Sequence, residues 1–249
     1  MRLPITLALL AALPTAVLAQ DDADDARSWS GSAEFGLAIA SGNADSETVN
    51  GKFAFLREED RWFYGLSAAA LRAESDDELS ANRYEAGVKL GYAFTSRTYL
   101  FGSLRHEDDD FASYEYQTIA SLGVGYRFID SERTSLLGEV GPGARRFQPI
   151  DRLVGTPPAL TSFDAKTDAI VRGSLDFKHQ LTANTAITNL LLAESGSGST
   201  YVQNDLGVAV QMSERYALKA GYQVRHTTEV PVGIEKTDTL FTTNLVVGF

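Results

Sequence analysis

The 249 residues include no cysteine. That excludes a disulfide framework and a thiolate metal site, and it suits a chain that crosses an oxidising compartment with nothing to mispair. Only three histidines exist, and basic residues are in deficit, 22 against 33 acidic, for a net charge of −11. A chain of that sign repels nucleic acid backbones, so DNA and RNA are disfavoured as partners. After Leu18 the sequence also lacks any apolar run long enough to cross a membrane as a helix.

What the N-terminus does hold is an export signal. Met1-Arg2 supplies a positive charge, and Leu3 to Leu18 is almost wholly apolar but carries Pro4 and Pro14. Ala16-Val17-Leu18-Ala19 then offers small residues for cleavage. A charged start, a short apolar middle and a small-residue site describe a secretory signal peptide over residues 1–19. The run is short for a bilayer span and is interrupted by proline, which disfavours a membrane anchor. Loss of Arg2 leaves 21 basic against 33 acidic residues, a net charge of −12. Residues 20–27 follow as an acidic periplasmic tail, and residues 28–249 form the main body.

Along that body, apolar and polar residues alternate. Period two means strand, because successive side chains point to opposite faces. Trp29, Gly31, Ala33, Phe35, Leu37 and Ile39 share one face against Ser30, Ser32, Glu34 and Gly36. Tyr84 to Phe94 repeats the pattern against Arg83, Glu85 and Lys89, and Tyr116 to Phe128 against Gln117, Ser121 and Arg127. Tyr216 to Val224 and Phe241 to Phe249 do the same. These segments run to about ten residues or more, the length of a tilted membrane strand, where soluble strands are nearer five or six.

The connections alternate as well. Long ones are expected near Ser41–Glu47, Ala73–Ser80, Arg105–Glu115, Arg146–Lys166, Glu194–Thr200 and Thr227–Lys236. Short ones are expected near Glu58–Arg61, Thr95–Arg97, Ile129–Glu132, Thr182–Asn184 and Ser213–Arg215. Six long and five short links join about twelve strands, with long loops outside, short turns in the periplasm and both termini periplasmic. The fold expected is therefore all-β, an antiparallel up-and-down transmembrane barrel in the outer membrane. Lipid offers no hydrogen bonds, so such a sheet must close on itself. Aromatic residues gather at the turn-side strand ends, including Phe53, Trp62, Tyr99, Phe101 and Tyr126, with Tyr84, Tyr116 and Tyr201 opposite, as interfacial girdles do. The partners implied are outer-membrane lipid and lipopolysaccharide. Phe249 closes the chain, with apolar residues two, four and eight positions before it. That looks like the C-terminal strand recognised by the outer-membrane assembly machinery.

The chain resembles the family of salt-induced outer-membrane proteins, whose function is uncharacterised. The likeness rests on Trp29-Ser30-Gly31, Ser41-Gly42-Asn43, Gly123-Val124-Gly125-Tyr126-Arg127, Gly141-Pro142-Gly143 and Lys236-Thr237-Asp238-Thr239. Ala144 stands where an aromatic residue is expected after Gly143. The resemblance implies an outer-membrane location and a link to salt or osmotic conditions, and lends no catalytic residues.

No catalytic, metal-binding or cofactor motif stands out, and the chain reads as a non-enzyme. His179 and His226 fall on apolar faces. His106 is the one histidine that could join a site, with Ser103 or the acidic loop beside it, as a lipid hydrolase would require. A soluble periplasmic ligand-binding barrel is the other alternative. Glu107-Asp108-Asp109-Asp110 and Glu74-Ser75-Asp76-Asp77-Glu78 fall in expected loops and lack calcium-loop spacing, so they read as solvated. Residues 146–166, with Pro149, Pro157 and Pro158, read as a loop or lid. The expected lumen set is Glu34, Lys52, Arg83, Glu85, Lys89, Gln117, Arg127, Glu139, Arg172, Asp176, Lys178, Lys219, Arg225 and Asp238. Such mixed charges either select ions or plug a narrow barrel with salt bridges. Twelve strands lie between filled and open barrels, and a structural, stress-related or narrow-channel role follows.

Overall fold

The computed structural model describes residues 29–40, 46–76, 78–154 and 159–249. The signal peptide, the acidic tail, Ser41-Gly42-Asn43, Pro157 and Pro158 lie outside the described residues.

Alternation along the chain produces long strands: β1 (Trp29–Ala40), β2 (Ser46–Glu59), β3 (Trp62–Ser75), β4 (Glu78–Ala93), β5 (Thr98–Asp109), β6 (Tyr114–Asp130) and β7 (Thr134–Pro149). A small hairpin follows, β8 (Arg152–Val154) with β9 (Ala159–Thr161). Then come β10 (Lys166–Gln180), β11 (Thr185–Gly196), β12 (Thr200–Gln211), β13 (Tyr216–Thr227) and β14 (Thr237–Gly248). All except the hairpin join one closed, antiparallel, twelve-stranded barrel in which sequence neighbours pair and β1 meets β14. The closing seam pairs Ser32–Gly36 of β1 with Asn244–Gly248 of β14, so the sheet returns on itself as lipid requires. At the seam Gly31 and Phe249 exchange backbone hydrogen bonds of 2.9 and 3.0 Å. The start of β1 and the end of β14 therefore lie together at the short-turn end.

The barrel is inside out relative to a soluble protein. Large apolar side chains face outward, Leu122 at 69 % and Phe241 at 68 % exposure, while the buried set includes Glu107, Gln117, Glu139, Glu194 and Arg225. This is the partition that lipid outside and polar groups inside require. It replaces the soluble-barrel alternative.

Three expectations need correction. First, the loop end is less loopy than the sequence suggests. β3 and β4 are separated by only residues 76–77, and β5 and β6 by residues 110–113. The strands continue through segments whose acidity suggested solvated loops. Asp76 takes a positive φ of 51° in the first of these turns, and Asp60 one of 53° at the opposite end; aspartate tolerates that region better than most residues. Second, Glu107 and Asp109 are not solvated. They sit on β5 and point into the lumen, with Asp108 between them pointing out. Burial is acceptable because opposite charges across the lumen meet them. Third, Tyr99, Phe101 and Tyr201 are buried inside the barrel and belong to no girdle. Tyr99 lies opposite Gly125, and Phe101 opposite Gly123. A Cβ at either glycine would collide with the facing ring, so the glycine-rich stretch of β6 makes room for aromatic filling.

Candidate functional site: the lumen

Register places every residue of the expected lumen set on the inner face. They do not form one ring. One flank, β4 to β7 with Arg172 of β10 and Glu194 of β11, is filled; Asp176, nearer the turn end of β10, faces the hollow side. Glu139 is its hub: it pairs with Lys89, accepts from Tyr99 Oη at 2.6 Å, and meets Arg172 at 3.3 Å. Arg172 also approaches Glu194 at 3.8 Å, and Glu194 accepts from Arg105 Nη2 at 2.6 Å. Arg105 lies 3.5 Å from Glu85 and 3.6 Å from Glu107. Toward the turn end Arg127 lies over the Tyr99 ring at 5.9 Å and donates to the Ser96 carbonyl at 2.9 Å. Lys178 faces inward opposite Thr188.

A bar crosses the lumen near the loop end. Arg225 on β13 pairs with Glu107 and, at 3.0 Å, with Asp109, both on β5. β13 and β5 stand six strands apart in the ring of twelve, the largest separation available. Gln117 donates to Glu107 at 2.9 Å, and Arg225 Nε donates to Tyr201 Oη at 2.6 Å. The guanidinium fork satisfies several acceptors at once, which is how a buried charge becomes affordable.

The other flank, β12 to β14 with β1 and β2, is hollow. Lys219 pairs with Glu34 at 2.7 Å, and Asn50 donates to Asn244 at 3.1 Å across β1. The amides meet there because Gly36 lies between them; a Cβ at Gly36 would strike both. A cavity of about 180 Å³ lies here, lined by Glu34, Lys52, Asp176, Asp205 and Lys219 among others. A second cavity, of about 400 Å³, occupies the loop end beside Arg83, Asp109, Arg225, Glu235 and Asp238. Gln223 and Leu240 line both cavities. Gln223 accepts from Arg83 Nη2 at 3.0 Å and donates to Asp205.

Arg105, Glu107, Asp109, Glu194, Asp205, Tyr201 and Gln223 were not among the expected site residues. The signal for three of them was present: Tyr99, Phe101, Ser103, Arg105, Glu107 and Asp109 keep period two without a break.

The histidine expectation fails on the same parity. Ser103 faces the lumen, where it bonds Ser121 at 2.7 Å, while His106 faces outward and bonds Thr118 through Nδ1 at 2.8 Å. The two sit on opposite faces of β5 and form no hydrolase pair. His179 with Thr134 and His226 with Thr237 repeat this outward arrangement, each at 2.8 Å and each with its direct cross-strand partner. The pairing satisfies imidazole and hydroxyl together on a lipid-side surface. Among the described residues, no group of three or more histidine, aspartate and glutamate side chains is placed to hold a metal ion.

A family model described as protein of unknown function, DUF481, matches residues 33–249. The chain belongs to that family. Its DUF481 segment includes every barrel residue from Ala33 onward, and the family description makes no reference to salt. The uncharacterized protein YdiY of Escherichia coli (strain K12) is 25 % identical over 211 residues, covering 85 % of this chain and 79 % of the relative. Among solved structures, the COG4313 outer membrane channel from Pseudomonas putida F1 superposes with a TM-score of 0.50 at 12 % identity, covering 92 % of this chain and 99 % of that one. The translocator domain of the autotransporter NalP from Neisseria meningitidis gives 0.46 at 10 % identity, covering 89 % and 87 %. At such identities the likeness concerns fold: this DUF481 chain has the architecture of an outer-membrane β-barrel.

Proposed function

We propose that the protein is a non-enzymatic outer-membrane barrel that conducts small cations along its hollow flank. The observation that carries this reading is that two lumen cavities, about 400 and 180 Å³, lie end to end with Gln223 and Leu240 in both linings. That pair forms the constriction, and the hydrogen bond from Arg83 holds Gln223 in place. With Arg225–Asp109 and Lys219–Glu34 mutually neutralised, the cavity linings keep Arg83 and Lys52 against Asp176, Asp205, Glu235 and Asp238. The acidic excess favours cations, as charged linings of pores do. The filled flank serves stability, and its ion pairs take no part in permeation.

In the orientation we propose, both termini and the short turns face the periplasm, and the loop end faces outward. Phe249 supports a role in recognition by the assembly machinery, since its ring is exposed and its backbone closes the seam on Gly31. Outer-membrane lipid and lipopolysaccharide are the partners of the apolar exterior.

Planar-bilayer recording of the purified barrel tests the reading. The wild-type protein is expected to show small, cation-preferring conductance, and Gln223→Ala to raise it several-fold. Silence from both the wild type and the widened variant would replace the channel with a sealed, structural barrel.

A further inference from the structure

The bar at the loop end separates the channel mouth from a third cavity of about 440 Å³. This chamber shares no lining residue with either cavity of the hollow flank. Its floor is Tyr114, Gln117 and Tyr201, all tied downward into the bar: Gln117 donates to Tyr114 Oη at 2.7 Å and to Glu107, and Tyr201 accepts from Arg225. The chamber is therefore blind. Its walls include Phe147 and Phe163, and Gln148 Nε2 donates to the Phe163 carbonyl.

We infer that this chamber binds a small neutral sugar. Volume first: ligand sites of this size class, about 300–1,000 Å³, join apolar walls to a few converging polar groups. Phe163 and Tyr114 supply apolar ring surface for the C–H faces of a sugar, while Phe147 carries Arg145 at 5.1 Å and Tyr201 carries Arg225 at 5.3 Å. The charges balance: Arg145 pairs with Asp168 at 3.3 Å, and Lys166 and Glu229 add one of each sign. A ligand of net charge gains little from so even a field, whereas hydroxyls use donors and acceptors of both kinds. Two polar atoms of lining residues are also left unsatisfied. Arg145 Nε and Ser199 Oγ are buried without a hydrogen-bond partner. Such orphaned groups carry a desolvation penalty, and a hydroxylated ligand that lets them rearrange onto it relieves that penalty.

The test is calorimetric titration of the detergent-solubilised full barrel with maltose, with galacturonate and glycine betaine as charged and zwitterionic comparators. Maltose is expected to bind saturably, and Phe163→Ala and Arg145→Gln to weaken it about tenfold or more, the scale at which anchor residues act. Phe111→Ala, in the cavity on the other side of the bar, is expected to leave binding unchanged. Heat-modifiable gel mobility reports folding, and Phe147→Ala substitutes for any variant that fails to fold. Absence of saturable maltose binding, tighter binding of either comparator, or maltose binding indifferent to Phe163→Ala would each overturn the inference. The titration does not depend on conductance, so a silent channel would leave it standing.

Discussion

On the filled flank Glu139 is held by Lys89, Tyr99 and Arg172, and Glu194 by Arg105 and Arg172. On the hollow flank Lys52 reaches a cavity with no ion-pair partner among the described residues. The inward positions differ in bulk. Rings and guanidinium groups at Phe63, Tyr99, Phe101, Arg105 and Arg172 occupy one side, while Gly36, Gly207, Gly221 and Thr242 line the other. A lumen of one circumference is thus packed on one side, where the bulkier inward side chains gather, and hollow on the other. Charge by itself does not decide between filter and plug; the partners each charge can reach do.

The largest effect expected is loss of the hub. Glu139→Ala leaves Lys89 without its carboxylate and Arg172 with Glu194 alone, and removal of one buried partner costs about 3–5 kcal/mol. Urea unfolding followed by gel mobility measures it, and a wild-type midpoint would break the division of labour between flanks. Next comes Gly36→Ala, whose Cβ enters the space where Asn50 and Asn244 meet. Overpacking there is expected to cost about 1–3 kcal/mol, read by the same method. A smaller effect belongs to selectivity. Asp176→Asn is expected to lower the cation preference in reversal-potential measurements, while Lys89→Gln, on the filled flank, is expected to leave it unchanged; the opposite ranking would move the permeation path. Smallest is His106→Ala, with a loss of about 0.5–1 kcal/mol for one hydrogen bond and no change in lipid turnover.

The barrel itself was legible because period two and the recurrence of turns are local properties of the chain. The parity of each strand assigned Glu34, Lys89, Glu139 and Arg225 to the inner face with no tertiary information. Parity also contained the error at Glu107 and Asp109: an acidic run reads as a solvated loop when its partner is unknown, and that partner, Arg225, lies 118 residues away. Tyr99, Phe101 and Tyr201 failed for a related reason, since an aromatic ring suits an interface or a glycine-lined interior equally well until the facing strand is known.

The sequence by itself determined the barrel strands, about twelve of them, the faces of most inward charges and the need for the sheet to close, because lipid leaves unpaired backbone without partners and a two-residue period needs only neighbours. The tertiary structure alone decided which charges meet, since opposite strands of a ring come together only when it closes. Closure put Arg225 across the full width from Glu107, set two separate cavities on either side of that bar, and left one flank hollow.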